Sequence, residues 1–119
     1  DLDILMTNQF GAPFFYKNEV KNKSWIGVKL NGNGVSTNKD AVGTKVWLSY
    51  MVNGKKVTQY KEVRLVNGFS AMGDTRLLFG MGDRKNKLSD VVLKIRWHNG
   101  KEEVITIPKL EQYLEINQK

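Results

Sequence analysis

The chain offers one histidine, twelve carboxylates and no cysteine for chemistry. A nucleophile needs a base within reach, and the base needs a third group to orient it. His98 stands just before Asn99-Gly100, in the polar register of a strand end, and reads as a solvated side chain. One histidine without thiols excludes ordinary histidine-rich and thiolate metal sites. Two carboxylates facing each other across a cleft could hydrolyse a glycosidic bond. Nothing in the spacing of the Asp and Glu residues marks such a pair. Asp74, Asp83 and Asp90 fall at loops or strand starts, where turns closed on backbone amides explain them. The stretch FGMGD at 79–83 lacks the third glycine of a dinucleotide fingerprint, Lys85 taking its place, and no helix follows. Its glycines are expected to let the chain turn tightly after a strand. No catalytic and no cofactor-binding residue is expected, and the reading is of a protein that is not an enzyme.

Two other features bear on binding. In STNKDAVGTKV, residues 36–46, Asn38 and Asp40 can close turns on their own backbone, and Gly43 permits a bulge or a close approach. The functional alternative is a polar ligand loop. Exposed aromatics on a sheet can stack on sugar rings or bases. Trp97 continues an apolar register and is expected in the core, whereas Trp47 opposes one and is expected on a partly exposed surface. The candidate ligand surface is therefore Asn38, Asp40, Trp47 and His98.

The elements that must carry these residues alternate with period two, the mark of strands with one buried face. Ile26, Val28 and Leu30 oppose Trp25, Gly27 and Lys29; Val46, Leu48, Tyr50 and Val52 oppose Trp47, Ser49 and Met51; Val91, Leu93, Ile95 and Trp97 oppose Val92, Lys94 and Arg96. The run KVTQYKEVRLV, with 75–79, 103–107 and 112–116, brings the count to about seven. Asn53-Gly54 and Asn99-Gly100 lie between strand runs and predict type I′ hairpin turns. Asn67-Gly68 and the NGNG at 31–34 mark further turns, and residues 108–112 could form one helical turn. The fold class is all-β: an antiparallel β-sandwich of about seven strands over residues 23–119. Residues 1–22 are aromatic and apolar, end in KNEVKNK, and show no strand partner at hairpin distance. The polar KNEVKNK is expected to be a linker, with a domain boundary near residue 22.

The net charge is +7. Such a surface favours an anionic partner such as nucleic acid, anionic polysaccharide or a membrane surface. The lysines are scattered, however, and only Arg84-Lys85-Asn86-Lys87 is dense. A solvated lysine-rich surface accounts for them, and neither nucleic-acid binding nor membrane insertion is expected. No run approaches the ~18 apolar residues of a membrane span.

NKDAVGTKV, then QYKEVRLVNGFSAMGDTRLLFGMGD, then VVLKIRWHNGKEEVITIP resemble the ASPIC/UnbV domain family. The matching positions are Asn38, Asp40, Gly43, Val46, Gly68, Phe69, Ser70, Phe79, Gly80, Gly82, Ile95, Trp97 and Gly100, and the likeness spans roughly residues 24–116. Met81 stands where the family has Leu, Ala71 where Gln is common, and His98-Asn99 where the hairpin has Pro-Ser. DLDILMTNQFGAPFFYKN is similar to the tail of an FG-GAP/VCBS repeat, the unit of an integrin-like propeller. Asp1 and Asp3 match the last two acidic positions of that repeat's calcium loop. Calcium takes about six to eight oxygens, so two aspartates make no complete site. The resemblance implies no cofactor in this fragment and calcium in a full-length parent. It implies a C-terminal module of a secreted, cell-surface or periplasmic propeller protein, with an upstream propeller in the same chain. Its role would be binding or adhesion to a glycan or protein. The alternatives are a purely structural cap of the propeller, or an accessory role in a biosynthetic pathway. Leu2, Ile4 and Met6 are then expected to pack on the sandwich or on a neighbouring molecule.

Overall fold

The period-two segments form nine strands among residues 2–66 and 68–119, which the computed structural model describes. They are β1 (Ile4–Met6), β2 (Phe14–Tyr16), β3 (Lys23–Asn31), β4 (Lys45–Val52), β5 (Lys55–Glu62), β6 (Leu77–Asp83), β7 (Leu88–Arg96), β8 (Glu102–Thr106) and β9 (Tyr113–Asn117). Seven of them build a sandwich: a three-stranded sheet in the order β6-β3-β9 and a four-stranded sheet in the order β5-β4-β7-β8. The all-β sandwich expected from the alternation is the architecture found. Among the described residues no helix is assigned, and 108–112, where one helical turn was expected, have no regular structure beyond a bend at 111–112.

The inward registers meet in one core. β3 supplies Ile26, Val28 and Leu30; β6 supplies Leu77, Phe79 and Met81; β4 supplies Val46, Leu48 and Tyr50; β7 supplies Val91, Leu93 and Ile95. Trp97, just past β7, is the largest buried side chain, as its register predicts. The outer strands β5, β8 and β9 alternate half-buried with exposed residues and close the margins with Val57, Ile105, Leu114 and Ile116.

Four local expectations change. First, β3 pairs β9 in parallel, Gly27 facing Tyr113 and Leu30 facing Ile116, so the sandwich is not wholly antiparallel. Parallel neighbours cannot be joined by a tight turn. The last strand instead returns to β3, guided by the bonds from Gly27 N–H to the Gln112 carbonyl and from Glu111 N–H to the Trp25 carbonyl (both 2.8–2.9 Å). Second, Asn53 (φ 48°) and Gly54 (φ 81°) form the I′ turn, but at Asn99-Gly100 only the glycine has positive φ. There Gly100 N–H bonds the Trp97 carbonyl and Trp97 N–H bonds the Lys101 carbonyl. This is the longer turn that ends in a left-handed glycine. Third, the FGMGD glycines lie within β6 rather than after it. Between the pairs Trp25–Gly80 and Lys23–Asp83, β6 carries one extra residue, and Gly82 (φ 83°) absorbs the bulge.

Fourth, the N-terminal segment does find a strand partner: Ile4, Leu5 and Met6 pair with Tyr16, Phe15 and Phe14. The connection, 7–13, is too long to read as a turn signal. This hairpin forms no third layer on the sandwich. Ile4 is 63% exposed and Met6 45%, so the cover expected for them within the chain is absent; Leu2 alone of the three lines a cleft against the sandwich.

Truncating Trp97 to alanine should lower the unfolding free energy by about 3–5 kcal/mol, because this largest buried side chain belongs to the core that both sheets share. Urea denaturation measures it, and a loss below about 1 kcal/mol would contradict the packing described.

Candidate functional site

The outer face of the three-stranded sheet is built by the residues that alternate with the core. β3 turns Trp25, Gly27 and Lys29 outward, β6 turns Leu78 and Gly80, and β9 turns Tyr113 and Glu115. Gly27 stands between Leu78 and Tyr113 in one row across the sheet. Its missing side chain is required, because a Cβ there would overlap the Tyr113 ring. The ring therefore lies down across the strand. Trp25 meets it edge to face, with centroids 5.3 Å apart and planes at 60°. Beside Trp25, the space above Gly80 is open.

Arg76 reaches over the other side of Tyr113, its guanidinium carbon 5.3 Å from the ring centroid. Asp74 holds it there: Arg76 Nε donates to the carboxylate at 2.7 and 3.0 Å. The Arg76 side chain and backbone N–H together hold the Asp74 carboxyl below the usual aspartate range. At the opposite corner Asp83 is likewise lowered, first by the Lys85 backbone N–H and then by Lys23. Between the aromatic pair and the incoming N-terminal segment lies a cleft of about 500 Å³. Trp25, Tyr113, Leu78, Leu2 and Val20 form apolar walls, and Asn18, Lys23 and Ser24 supply polar groups. An apolar cleft with a few polar groups is the usual form of a ligand site.

The surface expected from sequence is divided between two places. Asn38, Asp40 and His98 belong to loops at one end of the sandwich. Asn38 closes its own loop, its Oδ1 accepting from Val42 N–H at 2.8 Å and its Nδ2 donating to the Val42 carbonyl at 3.0 Å. Asp40 is exposed. The exposed His98 ring rests over Gly43, where a Cβ would come within 3.0 Å of Nδ1. Asn99 Nδ2 donates to Ser36 Oγ at 2.9 Å and ties the turn to the loop. Trp47 is on the outer face of the four-stranded sheet instead, half-buried, in a row with Tyr60 and Lys94. Its ring centroid is 5.3 Å from that of Tyr60, and Lys94 Nζ is 5.7 Å from the centroid of Trp47.

Asp1 lies outside the described residues. Asp3 Oδ1 accepts the Asn18 N–H at 2.8 Å, so this carboxylate serves the hairpin. Among the described residues no three histidines or carboxylates gather as a metal ion would require. Asp3, already accepting from the hairpin, does not by itself offer the oxygens that calcium takes. Trp25 and Tyr113 were missed as a pair in the sequence. The available signal was an outward tryptophan and an outward glycine on the same strand.

The sequence profile of the family described as ASPIC and UnbV matches residues 34–119. The chain belongs to this family. No curated protein and no solved structure matches it. The ASPIC and UnbV segment contains β4 to β9, and β3 precedes it. The likeness over residues 24–33 thus falls outside the profile, although β3 is the centre of a sheet. The cleft straddles this limit: Trp25 and Gly27 come before the ASPIC and UnbV segment, Leu78, Gly80 and Tyr113 from within it.

Gly27→Ala should displace the Tyr113 ring and weaken the near-ultraviolet circular dichroism of the Trp25–Tyr113 pair; an unchanged spectrum would contradict the close approach. In an NMR titration, Asp74 should ionise below an ordinary aspartate, so its pair with Arg76 survives mild acid and is lost as pH falls through the lowered pKa. Arg76→Ala should move that titration upward, and no movement would deny the pairing.

Proposed function

We propose that this ASPIC and UnbV domain is a non-catalytic binding module for a glycan, carried by a secreted, cell-surface or periplasmic propeller protein. The Trp25–Tyr113 cleft carries the reading. A pyranose presents an apolar C–H face that can stack on an indole. Bare backbone at Gly80 lets a ring approach the sheet, while Asn18 and Ser24 can meet its hydroxyls. The similarity of residues 1–18 to a repeat tail supports the propeller context, and calcium would then belong to the parent protein's complete loops.

A second reading is favoured by the hairpin: the domain is a purely structural cap of an upstream propeller. Leu5 and Phe15 are 67% and 64% exposed, which is apolar surface that a neighbouring blade would cover. Deleting the module from the full-length protein would then lower the propeller's melting temperature.

Tryptophan fluorescence against a panel of soluble polysaccharides tests the first reading. Binding should be saturable and should weaken about tenfold or more in Trp25→Ala. No response to any polysaccharide would reject it.

A further inference from the structure

Trp25 has a second neighbourhood. It also borders a hollow of about 400 Å³ that Tyr113 does not line, whose charged groups are Lys21, Lys23 and Arg84. The hollow is a consequence of the strand ends. Arg84 N–H bonds the Asn22 carbonyl at 2.9 Å, and Asn22 (φ 60°) turns the chain into β3. This pulls the end of β6 and the chain before β3 together beside the indole. Arg76 lies at the other side of the aromatic pair, over Tyr113. The platform is thus flanked by cations on both sides.

Three of these cations have carboxylate partners: Lys23 with Asp83 at 3.4 Å, Arg84 with Glu111 at 2.5 Å, and Arg76 with Asp74 at 2.5 Å. Lys21 has none among the described residues. The paired side chains are about half exposed, at 46%, 51% and 52%. The Lys23 pair, this open, is worth little and is readily exchanged for another anion, whereas each arginine meets its carboxylate through two bonds and has more N–H donors than one carboxylate takes. The whole chain adds its net charge of +7 as a long-range attraction.

We propose that the ligand of the Trp25–Tyr113 cleft is an acidic polysaccharide, seated with a sugar ring on Trp25 and its anionic groups on Lys21, Lys23 and Arg84. The inference rests on the glycan reading above and adds charge selectivity to it. A neutral sugar would use the stacking surface but leave the cations idle. Carboxylate and sulfate groups share the chemistry required. Arginine suits both through its planar fork, and lysine meets either as a point charge.

The test pairs each polyanion with its neutral counterpart: polygalacturonate with its fully methyl-esterified form, and dextran sulfate with dextran. Affinity is measured by isothermal titration and tryptophan fluorescence on the intact chain. The acidic member should bind at least about tenfold more tightly, and binding should fall by about tenfold as salt is raised to ~0.5 M. Preference for polygalacturonate identifies carboxylate as the anion, and preference for dextran sulfate identifies sulfate. Lys21→Glu should weaken acidic binding several-fold, whereas Lys101→Glu, in the turn at the other end of the sandwich, should not. Trp25→Phe keeps a packed ring and should retain part of the affinity that Trp25→Ala loses, with circular dichroism confirming both folds.

Equal binding of neutral and acidic members would overturn the charge inference and leave the glycan reading standing. No binding of any of the four would overturn both. Acidic binding insensitive to Trp25→Ala would place the polyanion on the general basic surface and overturn the assignment to this cleft. Tighter binding of single-stranded DNA, also lost in Trp25→Ala, would overturn it in favour of a nucleic acid.

Discussion

β3 is hydrogen-bonded on both edges, to β6 on one side and β9 on the other, and its alternation decides both faces of the small sheet. Inward, Ile26 and Val28 are wholly buried. Outward, Gly27 leaves the space in which the Tyr113 ring lies. A side chain at Gly27 would not disturb the core, which is on the opposite face. It would lift Tyr113 off the sheet, part it from Trp25 and take away the cation–π contact with Arg76. One glycine therefore separates the requirements of folding from those of the site.

The parts of this arrangement that depend on neighbours in sequence were legible beforehand. Alternation placed Trp97 inside, and Asn53-Gly54 marked its turn, because both are read within a few residues. The parts that depend on distant partners were not. Tyr113 meets Trp25 only because the last strand runs parallel to the third, and no local pattern announces a parallel pair. Asn99-Gly100 carries the same dipeptide as Asn53-Gly54 but a different turn, since the loop that Trp97 and Lys101 close is longer. Gly82 looked like a turn residue and is a bulge, because the chain continues to pair with β3 beyond it. The ligand surface drawn from sequence divides for a similar reason. Asn38, Asp40 and His98 share a loop end, while Trp47 follows the register of β4 to a sheet face.

The ASPIC and UnbV profile begins at residue 34, after the strand that organises the small sheet. The segment inside the profile holds the large sheet, the Asn38 loop and both outer strands of the small one. Without β3 those two outer strands would have no common partner, and an isolated edge is a liability for any sheet. The physical unit of the sandwich therefore includes β3. The surface charge is a separate matter from the fold. The Lys23–Asp83 pair beside the cleft is open to solvent and contributes little to stability. The ion pairs around the cleft have their value as a set of positioned charges around an aromatic platform.

The most direct test of that assignment is backbone amide chemical-shift mapping of the domain titrated with short oligogalacturonides. Perturbations should centre on Trp25, Gly27, Gly80 and Tyr113 and extend to Lys21 and Lys23. Perturbations centred on Trp47 and Tyr60, or on Asn38 and His98, with the Trp25–Tyr113 face unchanged, would contradict it.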